Sequence, residues 1–199
     1  MSKIIDYKPS WLDNSIVTLP RGSAWAGLEK VIRPIMKDFQ VKTGKAIEFG
    51  VEWGYSLGTL AQIFKSVKGV DHFRGDQFCT DVADYDKTCS YISQWSHVEI
   101  FKESYEEFFA NHDLVKEKWD MAHIDIVHTY DATFECGKKT INRCGCVIFH
   151  DTESFPDVKR ACLDLSEQMN MDFYNYPHCH GLGIIVSKKK SKHYQSQLI

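Results

Sequence analysis

Between residues 45 and 187, short β-branched or aromatic runs alternate with amphipathic stretches, and that alternation restricts the fold to a parallel sheet covered by helices. Residues 45–49 read as a first strand. Segments 67–71, 97–102, 120–125 and 146–150 continue the series. After the first strand, Leu57, Leu60, Ala61 and Phe64 fall on one helical face, with Ser56 as the expected cap. After the fifth, Pro156 suits the first turn of a helix whose Val158, Ala161, Cys162, Leu165 and Met169 share a face. Segments 171–175 and 182–187 then predict a closing antiparallel hairpin. Ahead of the sheet, Trp25, Leu28, Ile32, Ile35 and Phe39 form a helical stripe that Pro34 should kink or divide.

The 199 residues suffice for one domain with a substantial core. Residues 1–22 show no period and read as an N-terminal extension or active-site cap, residues 23–187 as the domain, and residues 188–199 as a basic, solvated tail. With 24 Lys plus Arg against 27 Asp plus Glu, no broad basic surface is available for a phosphate backbone, so nucleic acid is not the expected partner. No apolar run is long enough to span a bilayer, and the N-terminus lacks the apolar core of a signal peptide. Seven cysteines (79, 89, 136, 144, 146, 162 and 179) form no Cys-x-x-Cys pair and read as buried thiols, which places the chain in the cytoplasm.

An acidic residue stands at or beside the carboxyl end of each of the five strands: Glu48, Asp71, Glu103, Asp125 and Asp151. Open α/β sheets bind their ligands at that edge. The first turn, residues 48–58, carries Gly50, Gly54 and Gly58 at intervals of four, not the Gly-x-Gly-x-x-Gly of a dinucleotide site. Glu52 inside this turn disfavours a diphosphate and suits a ligand with a cationic amine or sulfonium.

These residues, with Gly69-Val-Asp71, His123-Ile-Asp125-x-x-His128-x-Tyr130 and Val147-Ile-Phe-His150-Asp151, resemble the class I S-adenosylmethionine-dependent methyltransferases. Within that class the pattern is most similar to the branch of macrocin-type sugar O-methyltransferases and cephalosporin-hydroxylase-like proteins. The resemblance runs from about residue 40 to 187, and departs from the branch at Ile126-Val127, where Gly-Asp is usual. It implies a Rossmann-like, seven-stranded, mostly parallel sheet with helices on both faces and an antiparallel final hairpin.

By the same resemblance, Glu48, Gly50, Gly54 and Ser56 would hold the methionine part of the cofactor. Asp71 would accept hydrogen bonds from both ribose hydroxyls, and Phe73 and Ser104 would meet the adenine. Ser104 is equally the start of a capping box with Glu107. Asp125, His150 and Asp151 would bind Mg²⁺ or Mn²⁺. Asp125 and His128 would serve catalysis, with His128 as the base that takes a hydroxyl proton near neutrality.

The implied reaction is methyl transfer from S-adenosylmethionine to a hydroxyl of a small acceptor, a sugar being one class. Two alternatives stand beside it: a cofactor-binding domain without methyl transfer, and a nicotinamide-dependent oxidoreductase. The second lacks the Tyr-x-x-x-Lys pair of short-chain dehydrogenases, since no tyrosine here has a lysine four residues on. Cys144, Cys146, His178, Cys179 and His180 lack the spacing of a structural zinc site.

Overall fold

The computed structural model describes residues 3–16, 23–78, 81–114 and 117–197. The strand series expected from the sequence is present as β2 (Lys45–Phe49), β3 (Ser66–Val70), β4 (Val98–Phe101), β5 (Met121–Ile124), β6 (Cys146–His150), β7 (Asp172–Tyr176) and β8 (Leu182–Val186). An eighth strand joins them: β1 (Ile4–Asp6), paired in parallel with β7, so the sheet exceeds the expected seven. The order is β1-β7-β8-β6-β5-β2-β3-β4, and β8 alone runs against its neighbours. The expected antiparallel hairpin is therefore β7–β8.

Helices cover both faces. On one side lie α1 (Glu29–Asp38), α2 (Tyr55–Ala61), α3 (Tyr85–Ile92) and α7 (Lys188–Ser196). The core there gathers Leu28, Ile32, Leu57, Leu60, Ile92 and Tyr194 against the sheet. The other side holds α4 (Tyr105–Asn111), α5 (Tyr130–Ile141) and α6 (Pro156–Gln168), which pack Phe108, Cys136, Cys162 and Leu165 around Phe149 and Val147. Sheet residues buried on both faces explain why β6 reads as a continuous apolar run rather than an alternation.

One local expectation is narrowed and two are corrected. Of the two outcomes expected at Pro34, division does not occur: α1 runs through it, and the Lys30 carbonyl left without residue 34 as a donor accepts the Asp13 N–H at 2.9 Å. Ser56 does not cap α2. The N-cap is Gly54 at φ +80°, a left-handed conformation that places Ser56 inside the first turn. Residues 188–196 form a helix rather than a solvated tail. Its Tyr194 is buried, with its hydroxyl donating to the Lys8 carbonyl at 2.8 Å, and Lys190 Nζ caps the carbonyl end of α1 through Phe39 and Gln40. Residues 1–2 and 17–22 of the expected extension, residues 198–199 of the tail and Cys79 lie outside the described residues. No helix among the described residues is long and apolar enough to cross a membrane.

Candidate functional site

The chain leaves β2 toward β3 on one side and returns to β5 on the other, which opens a crevice beyond the carboxyl ends of β2 and β5. A cavity of about 630 Å³ occupies that crevice, within the size range of small-molecule sites. Gly50, Ser56, Asp71, Phe73, Ser104, Asp125, His128, His150 and Asp151 all line it. The sequence-derived candidates are thus brought together, apart from Glu48 and Gly54.

Glu48 lies beneath the wall, fully buried, with Oε1 2.6 Å from His123 Nδ1. The two residues are direct cross-strand neighbours on β2 and β5. Burial raises the Glu48 pKa, although the His123 hydrogen bond opposes it. Trp25 closes over this pair, its ring 4.7 Å from that of His123 and its indole N–H donating to Thr59 Oγ1 at 3.0 Å.

The turn after β2 is shaped by backbone constraints. Gly50 sits at φ +90°, and its bare Cα faces the Asp125 carbonyl so closely that no side chain fits. Asp71 then fastens the loop: Oδ2 accepts the N–H groups of Val51 (2.8 Å) and Glu52 (2.9 Å), and Oδ1 accepts that of Phe73 (2.6 Å). Each carboxylate oxygen has two acceptor positions, so Oδ2 is filled and Oδ1 retains one. The carboxylate that would meet a ribose is consequently also the clasp of the glycine turn. Phe73, at φ +55°, sets its ring edge-on to Tyr85. Ser104 is the N-cap of α4 in a complete capping box with Glu107, at 3.2 and 2.7 Å.

Above β5 and β6 four side chains interlock. His150 Nδ1 is 2.9 Å from Asp125 Oδ2. His128 Nε2 lies 2.9 Å from Asp151 Oδ2 and 3.4 Å from Asp125 Oδ1, yet neither of its ring nitrogens has a partner aligned as a hydrogen bond. The three side chains converge at ion-pair distances. Asp125, His128 and Asp151 offer ligand atoms within 4.8 Å of one another. The expected set held His150 in place of His128. His150 also lines the cavity, its side chain only 2% exposed, with Nδ1 2.9 Å from Asp125 Oδ2 and 3.7 Å from Asp151 Oδ2.

Electrostatics follow from this packing. Burial opposes charge on His128, but the carboxylates of Asp125 and Asp151 prevail and raise its pKa to about 10. Burial likewise opposes charge on His150, and Asp125 again raises it. Asp125 is held well below the usual carboxylate range by the two imidazoles despite its burial. The same two carboxylates that raise the His128 pKa thus favour its protonated form over the neutral one that a base requires.

Asp151 adopts φ +62°, a conformation that costs a non-glycine residue about 1–3 kcal/mol and that recurs at functional sites. Phe155 stacks on His128 with centroids 4.1 Å apart, and Phe78 meets both rings edge-on. Sequence reasoning missed Trp25, Phe78 and Phe155 as site residues. Each reads as an ordinary core aromatic until the loops are folded together.

Neither a family model nor a curated protein matches the sequence. Solved structures do match. An S-adenosylhomocysteine-bound methyltransferase from Podospora anserina aligns with a TM-score of 0.57 at 12% identity, covering 77% of this chain and 75% of its own. An rRNA methylase from Streptococcus thermophilus aligns at 0.54 and 15%, covering 78% and 95%. An N-methyltransferase from Bradyrhizobium japonicum, in complex with S-adenosylhomocysteine, aligns at 0.53 and 13%, covering 73% and 78%. What this chain shares with all three is the Rossmann-like α/β fold.

Proposed function

We propose that the chain is an S-adenosylmethionine-dependent methyltransferase acting on a hydroxyl of a small molecule, a sugar being one class, with help from a divalent cation. The observation that carries this reading is the meeting of two half-sites in one cavity: the glycine turn clasped by Asp71, and the Asp125–His128–Asp151 cluster facing it.

Asp71 Oδ1 and the bare backbone at Gly50 would receive the ribose and methionine portions, with Phe73 beside the adenine. Glu48, buried behind Gly50 and Ser56, would act through the turn rather than by direct contact. When bound, the cofactor supplies an electrophilic methyl: the acceptor oxygen forms the new C–O bond while the C–S bond breaks, its electron pair stays on sulfur, and the hydroxyl proton is released to water. Asp125, His128 and Asp151 would hold the cation, which supplies Lewis acidity at the acceptor hydroxyl. Two carboxylates and one imidazole favour Mn²⁺ or a similar ion over Mg²⁺. His150 fixes the Asp125 carboxylate, as outer partners of metal ligands do. In this assignment His128 takes a ligand's place in preference to a base's. Holding nucleophile and methyl in line can supply up to ~7–11 kcal/mol of the barrier.

Calorimetry with S-adenosylhomocysteine, with and without Mn²⁺, tests both parts. Binding of the nucleoside together with Mn²⁺ binding that Asp125→Asn abolishes is the expected result. Failure of S-adenosylhomocysteine to bind under either condition would remove the methyltransferase reading; nucleoside binding without Mn²⁺ binding would remove the cation alone.

A further inference from the structure

The wall of the cavity is chemically one-sided. Eight carboxylates line it, among them Glu52, Asp71, Asp81, Asp125 and Asp151, and no described lining residue is lysine or arginine. The chain as a whole is almost balanced, with 24 Lys plus Arg against 27 Asp plus Glu, so this segregation is local. Even with all four lining imidazoles charged, the carboxylates outnumber them two to one. A cleft lined by one sign of charge concentrates the opposite sign in its ligand.

A second, independent feature lies at the same mouth. Phe78 and Val82 are 42% and 49% exposed, and both line the cavity. Phe78 is also in edge contact with Phe155, whose face covers His128. Large apolar side chains left in solvent beside a cleft mark a surface that a ligand covers. The ring contact of Phe78 with His128 assigns Phe78 to the cluster's end of the cavity, and so to the acceptor's end.

We infer that the acceptor is a small molecule carrying an ammonium group beside an apolar body, and that phosphorylated, carboxylated and nucleic-acid acceptors are turned away. This inference rests on the methyltransferase reading for its assignment of the two ends of the cavity. A cofactor of net charge +1 and a divalent ion would together leave the wall with an excess of carboxylates, so the acceptor still meets a negative field. Glu52 illustrates that field: burial, and then crowding by Asp125, Asp71, Asp81 and Asp76, push its pKa upward.

The test uses three probes of one scaffold that differ in charge: tyramine (cationic), tyrosol (neutral) and 4-hydroxyphenylacetate (anionic). Each is titrated into the full chain with S-adenosylhomocysteine and Mn²⁺ present. Tyramine should bind about tenfold or more tightly than tyrosol, and tyrosol more tightly than the acid. Raising the salt from 0.05 to 0.5 M, as a chosen range, should compress that ranking. The double variant Glu52→Gln/Asp81→Asn should compress it also.

Equal or inverted ranking, no binding by any of the three, or tighter binding of a short RNA oligonucleotide than of tyramine would each overturn the inference. The ranking is measured again without nucleoside or metal. A protein that fails to bind S-adenosylhomocysteine yet still ranks the probes by charge would lose the methyltransferase reading and keep the cationic ligand.

Discussion

Gly50 and Asp125 approach so closely that a Cβ built on Gly50 would stand 1.6 Å from the Asp125 carbonyl oxygen. The atom in the way is backbone, fixed by the Asp125 N–H bond to Phe49 at 2.8 Å, so it has no room to yield. Gly50→Ala should therefore destabilise the fold by about 2–5 kcal/mol, combining a left-handed alanine with overpacking. Urea denaturation measures this. A loss below 1 kcal/mol would mean that the turn relaxes freely, contrary to the contact described.

Asp71→Asn should leave the sheet intact and weaken S-adenosylhomocysteine binding by about 10- to 100-fold, because hydrogen bonds to a charged group contribute roughly 1.5–3 kcal/mol. An amide would also present N–H groups to the Val51 and Glu52 donors that Oδ2 now accepts. Calorimetry should show the loss, with an unchanged circular dichroism spectrum as the control for folding. Undiminished affinity would separate Asp71 from the nucleoside.

The ion-free protein should lose stability as pH rises through the upper range. His128 has a folded-state pKa raised to about 10 against an ordinary value near 6.5. A raised imidazole contributes stability fully present below about pH 6.5 and progressively lost as pH climbs through about 10. Melting temperatures recorded from pH 6 to 10.5 in the presence of a chelator should fall along this limb in the wild type. In His128→Gln the limb should be absent; a mutant that retains it would place the titration elsewhere.

Tyr7→Phe should cost about 1–3 kcal/mol, since the Tyr7 hydroxyl donates to the buried Asp38 carboxylate at 2.8 Å and Asp38 would keep only Ser10. Chemical denaturation reports the change. A neutral result would indicate that the segment after β1 rests on the domain without contributing to it.

The inner strands were legible because each carries its own signal. Residues 45–49 and 146–150 match β2 and β6 end to end, as buried parallel strands leave an apolar run between turn residues. β1 offers no such signal: three residues, Ile4 to Asp6, become a strand only because β7 lies beside them. The helix at Lys188–Ser196 was hidden for a related reason, since its lysine-rich sequence buries only Ser191 and Tyr194.

At the site, the acids at the strand ends were readable, but their partners were not. The Glu48–His123 pair depends on β2 lying beside β5, and the approach of His128 to Asp125 and Asp151 depends on how the loop after β5 folds back. Neither is a property of local spacing. Asp71 shows a further limit, because a residue expected to serve a ligand is also engaged by the turn that presents it.

The parallel pairing of β1 with β7 sets Ile4 against Phe173, 169 positions apart along the chain. During synthesis, residues 4–6 must wait with an unpaired backbone until residues 172–176 have emerged. By then β2 to β6 can already have collapsed around their helices. The sheet is thus completed late and at long range, a slow class of contact. Any nascent chain halted before β7 would display that waiting segment to other molecules, which makes the interval before β7 emerges the time at which this protein most needs shielding from self-association.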